Sequence, residues 1–493
     1  MTRRRKAVAV AVIAVAIGAL AIAGTAGARV KFVKGSAGLG DPYFPKAGNG
    51  GYDVSNYNLR LRYAPKSNHL VGRARVSATA TQNLSRFDLD FRHLDVSGIQ
   101  VNGRNASFVR RGQELKITPR RGLRKGRNFL VRVRYSGHPR PVIDPDGAQD
   151  GWIPTDDGAF VASEPQGAPS WFPCNDYPTD KATFDIRATV PKGKTVVSNG
   201  TLVSRKSHGG KTTFQWHEDS PMATYLATAT SGKFNVIRST SAGIPSYSAV
   251  DPREARASVQ PLAQIPGILR LFGPSFGAYP FGSTGAVVDH APGVGYALET
   301  QTRPLYETAP NALTVAHEIA HQWFGDEVSL KRWRQIWLNE GFATWAEWFW
   351  QERNGGRNLR QRFAQLYSTP ASRKTFWDPP PGNPGGAENI FDGTIYVRGG
   401  MTLEALREEV GAPTFLRILR DWVRGHAYGN GGTQQFIDVA EADSGRDLGR
   451  FFHQWLFKEG KPRNWGASAA LAPGGDRRNA SELPRVAVRV SRR

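Results

Sequence analysis

The stretch HEIAHQWFG, from His317 to Gly325, constrains this chain more than any other. Residues four apart lie one above the other on one face of an α-helix, so His317 and His321 can direct two imidazole rings at one point. Catalytic zinc is bound by three protein ligands, commonly imidazole and carboxylate groups, with water in the fourth position. Glu318 lies beside the pair, where its carboxylate can reach that water as a general base. The motif therefore predicts a zinc site on a helix.

The third metal ligand must come from another element, and Glu340 is the best candidate. It follows His321 by nineteen residues, in the apolar-rich stretch WLNEGFATWAEW, which predicts a second helix. We therefore expect one Zn²⁺ ion bound by His317, His321 and Glu340. Glu347, about two turns further along, is either an acid that supports a ligand or an ordinary structural acid, solvated or buried. The alternative for the whole motif is a chance HExxH with two structural histidines, because the chain contains ten histidines.

The length of the chain and its first residues indicate an exported protein of more than one domain. The 493 residues favour two or three domains. The N-terminus has the order of an export signal: cations from Arg3 to Lys6, an apolar run from Ala7 to Gly24, and a small-residue site from Ala26 to Ala28. We expect residues 1–28 to be a signal peptide, with an uncleaved membrane anchor as the alternative. The expected location is outside a bacterial cell, either secreted or associated with the cell envelope.

The strong positive charge bears on the partners of the protein. The formal net charge is +23, from 65 lysines and arginines against 42 acidic residues. Such a surface favours anionic partners, including cell-envelope polymers. The basic residues are scattered along the sequence without a nucleic-acid-binding motif, so we expect no nucleic-acid partner. The single cysteine, Cys174, excludes an intrachain disulfide. We expect a monomer that binds peptide substrates and associates with the anionic envelope.

Short stretches of alternating apolar and polar residues fill the first half of the chain. Residues 29–49 are rich in glycine and lysine and predict a linker. The alternation then begins, with Tyr57, Leu59 and Leu61 on one face of a predicted strand. Further short strands continue at a regular spacing, with turn residues between them. They predict an antiparallel β domain over residues 50–235.

The second half of the chain has helical spacing of its apolar residues. The stretch from Arg253 to Phe272 predicts helix, whereas residues 354–393 are rich in glycine and proline and predict loops. A glycine-, proline- and arginine-rich stretch ends the chain. We therefore predict an α+β multidomain protein, with a mainly helical catalytic domain over residues 236–460 and a basic C-terminal tail over residues 461–493.

A second motif resembles a known family. The segment from Glu164 to Ile186, EPQGAPSWFPCNDYPTDKATFDI, resembles the stretch around F-P-C-x-D-x-P in the aminopeptidase-N family of gluzincin metallopeptidases. The zinc stretch and the spacing from His321 to Glu340 are also similar to that family. Over about residues 50–460, the resemblance implies an N-terminal β saddle or sandwich followed by a thermolysin-like, mainly helical zinc domain. Together with the export signal and the short stretch after residue 460, it indicates a secreted bacterial member without the large C-terminal helical domain of longer members.

The resemblance implies residues that bind the substrate. Where the family has G-A-M-E-N, this chain has Tyr296 to Thr300, in which Ala297 would bind the substrate backbone. Glu299, together with Glu164, would bind the substrate amine. A peptide α-amine has a pKa of about 8 and is mostly cationic at neutral pH, so a fixed carboxylate can accept charge-assisted hydrogen bonds from it. Tyr396, in a segment similar to the family's Y-x-K-G element, would donate a hydrogen bond to the oxyanion.

Three hypotheses for the function follow from these features. The first is a zinc-dependent aminopeptidase in which Glu318 moves the proton of the attacking water. The second is an endopeptidase or a broader-specificity zinc hydrolase, because three residues of the G-A-M-E-N segment differ. The third is a non-catalytic, envelope-binding scaffold, favoured by the positive charge. A comparison of the cleavage of free-amine peptides and of N-acetylated peptides distinguishes the first hypothesis from the second. Zinc bound to the purified protein distinguishes both enzymes from the scaffold.

Overall fold

The computed structural model describes residues 30–463. The signal peptide predicted at residues 1–28 lies outside the described residues, as does the predicted basic tail beyond residue 463. From Phe32 onward the described chain belongs to one compact unit. Between residues 30 and 463, no helix has both the length and the apolar character needed to cross a bilayer.

The first half of the described chain is built from strands in three sheets. Along β2 the side chains alternate between buried and exposed positions, and Tyr57, Leu59 and Leu61 are all buried, as the alternation predicts. Strands β1 to β17 are Val33–Lys34, Tyr52–Ala64, His69–Ala80, Leu84–Asp90, Asp95–Val101, Arg104–Asn105, Ser107–Arg111, Glu114–Thr118, Asn128–Gly137, Val142–Ile143, Gln149–Pro154, Ala159–Ala162, Ala182–Pro191, Thr195–Ser198, Thr201–His208, Lys211–Met222 and Ala229–Gly232.

The largest sheet has eight strands in the order β15-β16-β13-β2-β3-β9-β5-β6. Most neighbours are antiparallel, but β13 pairs with β2 in parallel, with Phe184 opposite Tyr57. The prediction of a wholly antiparallel domain is therefore wrong at this pair. More than a hundred residues of chain separate the end of β2 from the start of β13, and so long a connection permits the parallel direction. The other two sheets have the orders β1-β4-β8-β7 and β10-β11-β12-β17-β14.

The segment predicted as a linker, residues 29–49, packs against the rest of the protein where it is described. Strand β1 pairs in parallel with β4. Asp41 is buried and accepts hydrogen bonds from the Tyr177 hydroxyl at 2.8 Å and from the Trp333 backbone N–H at 3.0 Å. One carboxylate therefore joins the β half to the segment that precedes Glu340.

The second half combines a small sheet with helices. The sheet has the order β18-β19-β20-β22-β21, in which β19, β20 and β22 are parallel and the two edge strands, β18 and β21, are antiparallel to their neighbours. Strands β18 to β24 are Asn235–Ser241, Ile244–Val250, Thr284–Val288, Ala297–Leu298, Leu305–Tyr306, Ser329–Leu330 and Asn430–Gly431. Helices α1 to α10 are Ala255–Leu262, Ile265–Phe276, Ala312–Ala320, Trp337–Arg353, Leu359–Tyr367, Lys374–Trp377, Gly393–Val410, Ala412–His426, Thr433–Ser444 and Gly449–Phe452.

The architecture confirms the predicted α+β class, with a mainly β half before a mainly helical half. The boundary near residue 235 stays a prediction. The loops predicted over residues 354–393 are wrong in part, because α5 and α6 form there. Asn358 caps α5 by accepting a hydrogen bond from Gln361, and the helix buries Leu359 and Phe363, which are one turn apart.

Candidate active site

Helix α3 carries the first two predicted metal ligands. It begins after Asn311, whose side chain accepts two hydrogen bonds from backbone N–H groups of the first turn. It ends at Ala320, and His321 is its C-cap, with its N–H still bonded to the His317 carbonyl. The two buried imidazole rings therefore lie on one face, with their centroids 4.7 Å apart.

Helix α4 supplies carboxylates to both sides of the His317 ring. Nε2 of His317 lies 3.1 Å from Oε2 of Glu340, and Nε2 of His321 lies 3.5 Å from the same oxygen. Nδ1 of His317 lies 2.6 Å from Oε1 of Glu347, and Nδ1 of His321 lies 3.0 Å from the carbonyl oxygen of Phe324. Because carbonyl and carboxylate oxygens accept, both Nδ1 atoms donate, and both Nε2 atoms face Glu340.

The three predicted ligands form one buried cluster. Single ligand atoms of His317, His321 and Glu340 all lie within 4.8 Å of one another. Burial lowers the pKa of His317, but hydrogen bonds to Glu340 and Glu347 outweigh it and raise that pKa well above its ordinary value. Burial likewise raises the pKa of Glu340, yet the two histidines outweigh it and hold that pKa at about 2. The buried carboxylates thus require positive charge at the Nε2 atoms, which protons or a divalent cation can supply.

Two further carboxylates lie beside this cluster. Oxygens of Glu299 and Glu318 and a ring nitrogen of His321 lie within 4.8 Å of one another. Burial raises the pKa of both carboxyls, that of Glu318 to about 8. Oε1 of Glu299 is buried and has no hydrogen-bond partner among the described residues. A buried carboxylate oxygen in this position fits a cationic donor that a ligand brings with it.

The side chain of Gln322 fixes the segment that carries Glu299. Its Nε2 donates to the Glu299 carbonyl at 3.0 Å, and its Oε1 accepts from the Thr302 N–H at 2.7 Å. Ala297 lies in β21, an edge strand of the small sheet, where a further extended chain can pair. Gln322 is absent from the predicted site residues, although its place directly after His321 is a signal that could identify it.

Helix α7 carries Tyr396. The helix begins at Gly393, and the short polar side chain of its cap Asp392 accepts a hydrogen bond from the backbone N–H of Thr394. The buried Tyr396 ring lies nearly parallel to the His317 ring, with centroids 6.0 Å apart and 23° between the planes.

Two glycines allow α4 and α7 to touch backbone to backbone. A Cβ atom on Gly341 would lie 2.9 Å from the carbonyl carbon of Gly399, too close for any side chain. Gly341 directly follows Glu340, and Gly399 lies three residues after Tyr396. The close approach therefore brings the helix with the third ligand and the helix with Tyr396 together.

Arg398 stands where the resembling family has lysine, and its role here is structural. Its guanidinium is buried and donates to the carbonyl oxygens of Trp377, Gln454, Trp455 and Lys458. One side chain thus joins α7 to two separate segments of the catalytic half. The ammonium group of a lysine lacks the planar, forked arrangement of N–H donors that lets the guanidinium group reach several carbonyl oxygens at once.

Tyr225 links the predicted amine-binding residues, which come from different halves of the chain. Its buried hydroxyl donates to the Gly325 carbonyl at 3.3 Å. Burial, followed by the charges of Glu299, Glu164 and Asp326, raises the pKa of Tyr225. Glu164, which follows β12, is thereby within electrostatic range of the same tyrosine as Glu299. Tyr225 is absent from the predicted site residues, because a buried tyrosine in a turn has no sequence signal of its own.

Two family models match the chain in order. The Peptidase M1 N-terminal domain model matches residues 54–226, and the Peptidase family M1 domain model matches residues 296–455. The second match includes all three residues of the histidine and glutamate cluster. The chain belongs to peptidase family M1. Its resemblance to the aminopeptidase-N family of gluzincins is thereby confirmed.

Curated M1 relatives are longer than this chain. Aminopeptidase M1 of Arabidopsis thaliana is 29% identical over 371 residues, which cover 69% of this chain and 40% of the relative. Leucyl aminopeptidase of Saccharolobus solfataricus is 25% identical over 444 residues, which cover 83% of this chain and 54% of the relative. The chain thus spans about half or less of the length of these two relatives.

Solved structures of an M1 zinc metallopeptidase from Deinococcus radiodurans match this chain over almost their whole length. One has a TM-score of 0.80 and 29% identity, and the match covers 86% of this chain and 99% of that chain. Another, a mutant bound to a Tyr-Ser-Ala substrate, also has a TM-score of 0.80 and is covered to 98%. The M1 fold of this chain therefore agrees with a solved zinc metallopeptidase.

Membership of this family implies one catalytic Zn²⁺ ion, and the residues present fit it. Both Nε2 atoms and the Glu340 carboxylate are the donors that zinc prefers, and they face one another in a buried position. Glu347 and the Phe324 carbonyl hold the Nδ1 atoms, so the tautomer with a free Nε2 lone pair is fixed.

Proposed function

We propose that this protein is a zinc-dependent aminopeptidase that removes N-terminal residues from peptides. The observation that carries the proposal is the buried cluster of His317, His321 and Glu340, with Glu318 and the unsatisfied Glu299 carboxylate beside it. A hydrolytic metal site needs the two histidines, Glu340 and Glu318. The Glu299 carboxylate adds a group that can bind a cationic amine.

The metal would be held by His317, His321 and Glu340. When bound, zinc lowers the pKa of its water toward about 7 and polarises a carbonyl group. Glu318 accepts the proton of the attacking water and later passes it to the leaving nitrogen. Glu347 keeps the His317 ring in the orientation that this arrangement requires.

The carboxylates of Glu299 and Glu164 would bind the cationic α-amine of the substrate. The first residue of the peptide would then lie at the metal, so that the peptide bond after the N-terminal residue is the one cleaved. The free edge of β21, with Ala297, would pair with the substrate backbone. Burial strengthens each of these hydrogen bonds because it excludes competing water.

Tyr396 would donate its hydroxyl hydrogen to the scissile carbonyl oxygen as negative charge develops there. The stacked position of its ring beside His317 supports this role. The contact of Gly341 with Gly399 keeps the tyrosine helix close to the metal ligands, so the donor is held in place before the reaction.

Cleavage of matched peptides tests the proposal. Peptides with a free α-amine and the same peptides with an N-acetyl group would be compared, with and without a chelator. We expect loss of only N-terminal residues from the free peptides, no cleavage of the acetylated ones, and inhibition by the chelator that added zinc reverses. Equal cleavage of both peptides would contradict the amine-binding role of Glu299 and Glu164.

A second candidate is an endopeptidase or broader zinc hydrolase, and the segment before α3 favours it. Two of the departures from G-A-M-E-N have structural partners here: Tyr296 donates to the Gln149 carbonyl at 2.7 Å, and Thr300 donates to the Arg303 carbonyl. These residues shape the segment differently from glycine and asparagine. Internal cleavage of acetylated peptides is the result that would select this candidate.

We also propose that the protein is exported from a bacterial cell and acts as a monomer at the envelope or in the medium. The support is the basic and apolar N-terminal sequence and the net charge of +23. N-terminal sequencing of the protein from the culture medium is expected to begin after Ala28. Sedimentation at several concentrations is expected to give the mass of one chain.

A further inference from the structure

One face of the eight-stranded sheet carries a compact group of exposed arginines. We call it the arginine face. Its members lie at alternating positions of four neighbouring strands, β13, β2, β3 and β9, so their side chains leave the sheet on the side opposite to the buried core. They are Arg60, Arg62, Arg73, Arg75, Arg132, Arg134 and Arg187.

The strand register places these residues directly beside one another. Arg187 is opposite Arg60, Arg60 is opposite Arg73, and Arg73 is opposite Arg134, which makes a row of four across four strands. In the next row Arg75 is opposite another arginine of β9. Neighbouring strands are about 4.8 Å apart, so the row of four is about 14 Å long. Basic residues that are scattered along the sequence therefore lie side by side on this face.

These guanidinium groups have no partner within the described chain. Across residues 30–463, none of the seven takes part in a salt bridge or in a side-chain hydrogen bond. The nearest carboxylate in the register, Asp185, bonds instead to His217 and Asn56. Like charges directly opposite one another destabilise a sheet. The protein therefore keeps an uncompensated row of cations at a cost in stability.

The surroundings of the row narrow the kind of anion that fits. The register neighbours that continue the rows are polar: Gln215, Asn58 and Gln100. No exposed large hydrophobic side chain of the described residues lies on the four strands. Stacking of nucleic-acid bases needs aromatic side chains, and insertion into a bilayer needs apolar ones. Guanidinium groups, in contrast, match phosphate oxygens with paired hydrogen bonds.

We infer that the arginine face is a binding site for a linear phosphate polymer that carries neither bases nor acyl chains. A single phosphate could use only one or two of these arginines. The strand spacing makes the row about 14 Å long. A chain of phosphates can lie along it and neutralise several guanidinium groups at once. Binding is driven by release of counterions and does not depend on the proposed peptidase activity.

Binding of the whole protein to inorganic polyphosphate of defined length tests the inference. One variant removes three members of the row: Arg60→Gln, Arg73→Gln and Arg134→Gln. The matched control removes the same charge from a loop outside the face: Arg120→Gln, Arg121→Gln and Arg124→Gln, all exposed and outside any salt bridge of the described residues. Thermal melting and peptide hydrolysis show whether both variants remain folded.

We expect the wild type to bind polyphosphate with an affinity that falls linearly, on logarithmic axes, as salt increases. The row variant should bind at least about 10-fold more weakly, with a salt slope reduced by about 2, whereas the loop variant should change by less than about 3-fold. Equal weakening of both variants, or no binding by the wild type at about 50 mM salt, would overturn the inference. Tighter binding to single-stranded DNA or to anionic phospholipid vesicles, lost in the row variant, would assign the face to those partners and reject the polymer.

Discussion

The buried cluster around His317 and the arginine face both concentrate ionisable side chains, but in opposite environments. In the cluster, four glutamates are buried around two histidines, and hydrogen bonds to Glu340 and Glu347 fix the His317 ring. On the face, seven guanidinium groups are exposed and unpartnered within the described chain. Buried charges interact strongly because water does not screen them, and exposed charges interact weakly and additively. Single substitutions should therefore act strongly in the cluster, and only sums of substitutions should act on the face.

Apart from replacement of Glu318, the largest effect is expected at Tyr396. Tyr396→Phe removes the hydroxyl donor and leaves the ring beside His317, so kcat should fall by about 100- to 1,000-fold with little change in KM. Bound zinc, measured by atomic absorption, should be unchanged. Tyr428→Phe, at an exposed tyrosine, is the control and should keep normal turnover. A Tyr396→Phe variant with wild-type kcat would show that the hydroxyl does not reach the reacting carbonyl.

Buried carboxylates outside the cluster around His317 should make stability depend on pH, which exposed arginines do not. Burial raises the pKa of Asp180 from 3.8 to about 8. The unfolded chain loses this proton near pH 4 while the folded protein keeps it, so the stability that the protonated group contributes is present below about pH 4 and is lost as pH rises through about 8. Asp180→Asn cannot titrate, so its stability relative to wild type should rise by about 2 to 4 kcal/mol from pH 5 to pH 8.

Thermal melts across this pH range, with the exposed Asp219→Asn as control, measure the difference. A difference between Asp180→Asn and wild type that is constant with pH, or that shrinks as pH rises, would contradict the burial argument. The effect of Asp180→Asn should depend little on salt, because the buried group is poorly screened.

Glu347 should act on metal affinity rather than on chemistry. Its carboxylate lies 2.6 Å from Nδ1 of His317 and faces away from the proposed metal position. Glu347→Gln should weaken zinc binding by about 10- to 100-fold, measured by competition with a chelator, and activity should return at saturating zinc. Persistent loss of kcat at saturating zinc would give Glu347 a direct part in the reaction.

The smallest effect is expected on the arginine face. Arg73 is directly opposite both Arg60 and Arg134. Arg73→Thr removes two like-charged pairs and adds a residue that favours strands, so stability at low salt should rise by about 0.2 to 1 kcal/mol per pair. The gain should shrink in 1 M salt, where the screening length is about 3 Å. A loss of stability at every salt concentration would mean that the guanidinium has a partner.

The cluster around His317 was the more predictable region, because helix geometry alone determines much of it. Helical spacing alone places His317 and His321 on one face, and a second helix brings Glu340 to them, as the structure shows. The Gly341 and Gly399 contact lies beyond sequence reasoning, since no local pattern reveals which two glycines meet. Sequence spacing therefore predicts well which of these side chains meet, and it predicts poorly the packing that orients them.

The arginine face was less predictable for the same physical reason. The sequence shows Arg60 and Arg62, Arg73 and Arg75, and other pairs separated by one residue, which indicates one exposed side of each strand. Alternation, however, does not specify which strands are neighbours or their register. The parallel pairing of β13 with β2, which completes the row, joins segments more than a hundred residues apart. The row exists only in the folded sheet.

The variant Glu318→Gln tests the central claim most directly, when turnover and bound zinc are measured on the same sample. Glutamine keeps the size of the side chain but cannot accept the proton of the attacking water. We expect about one zinc ion per chain, as in the wild type, and a fall in kcat of about 100- to 10,000-fold on free-amine peptides. Near-normal turnover with bound zinc would contradict the assignment of Glu318 as the general base, and with it the proposed mechanism.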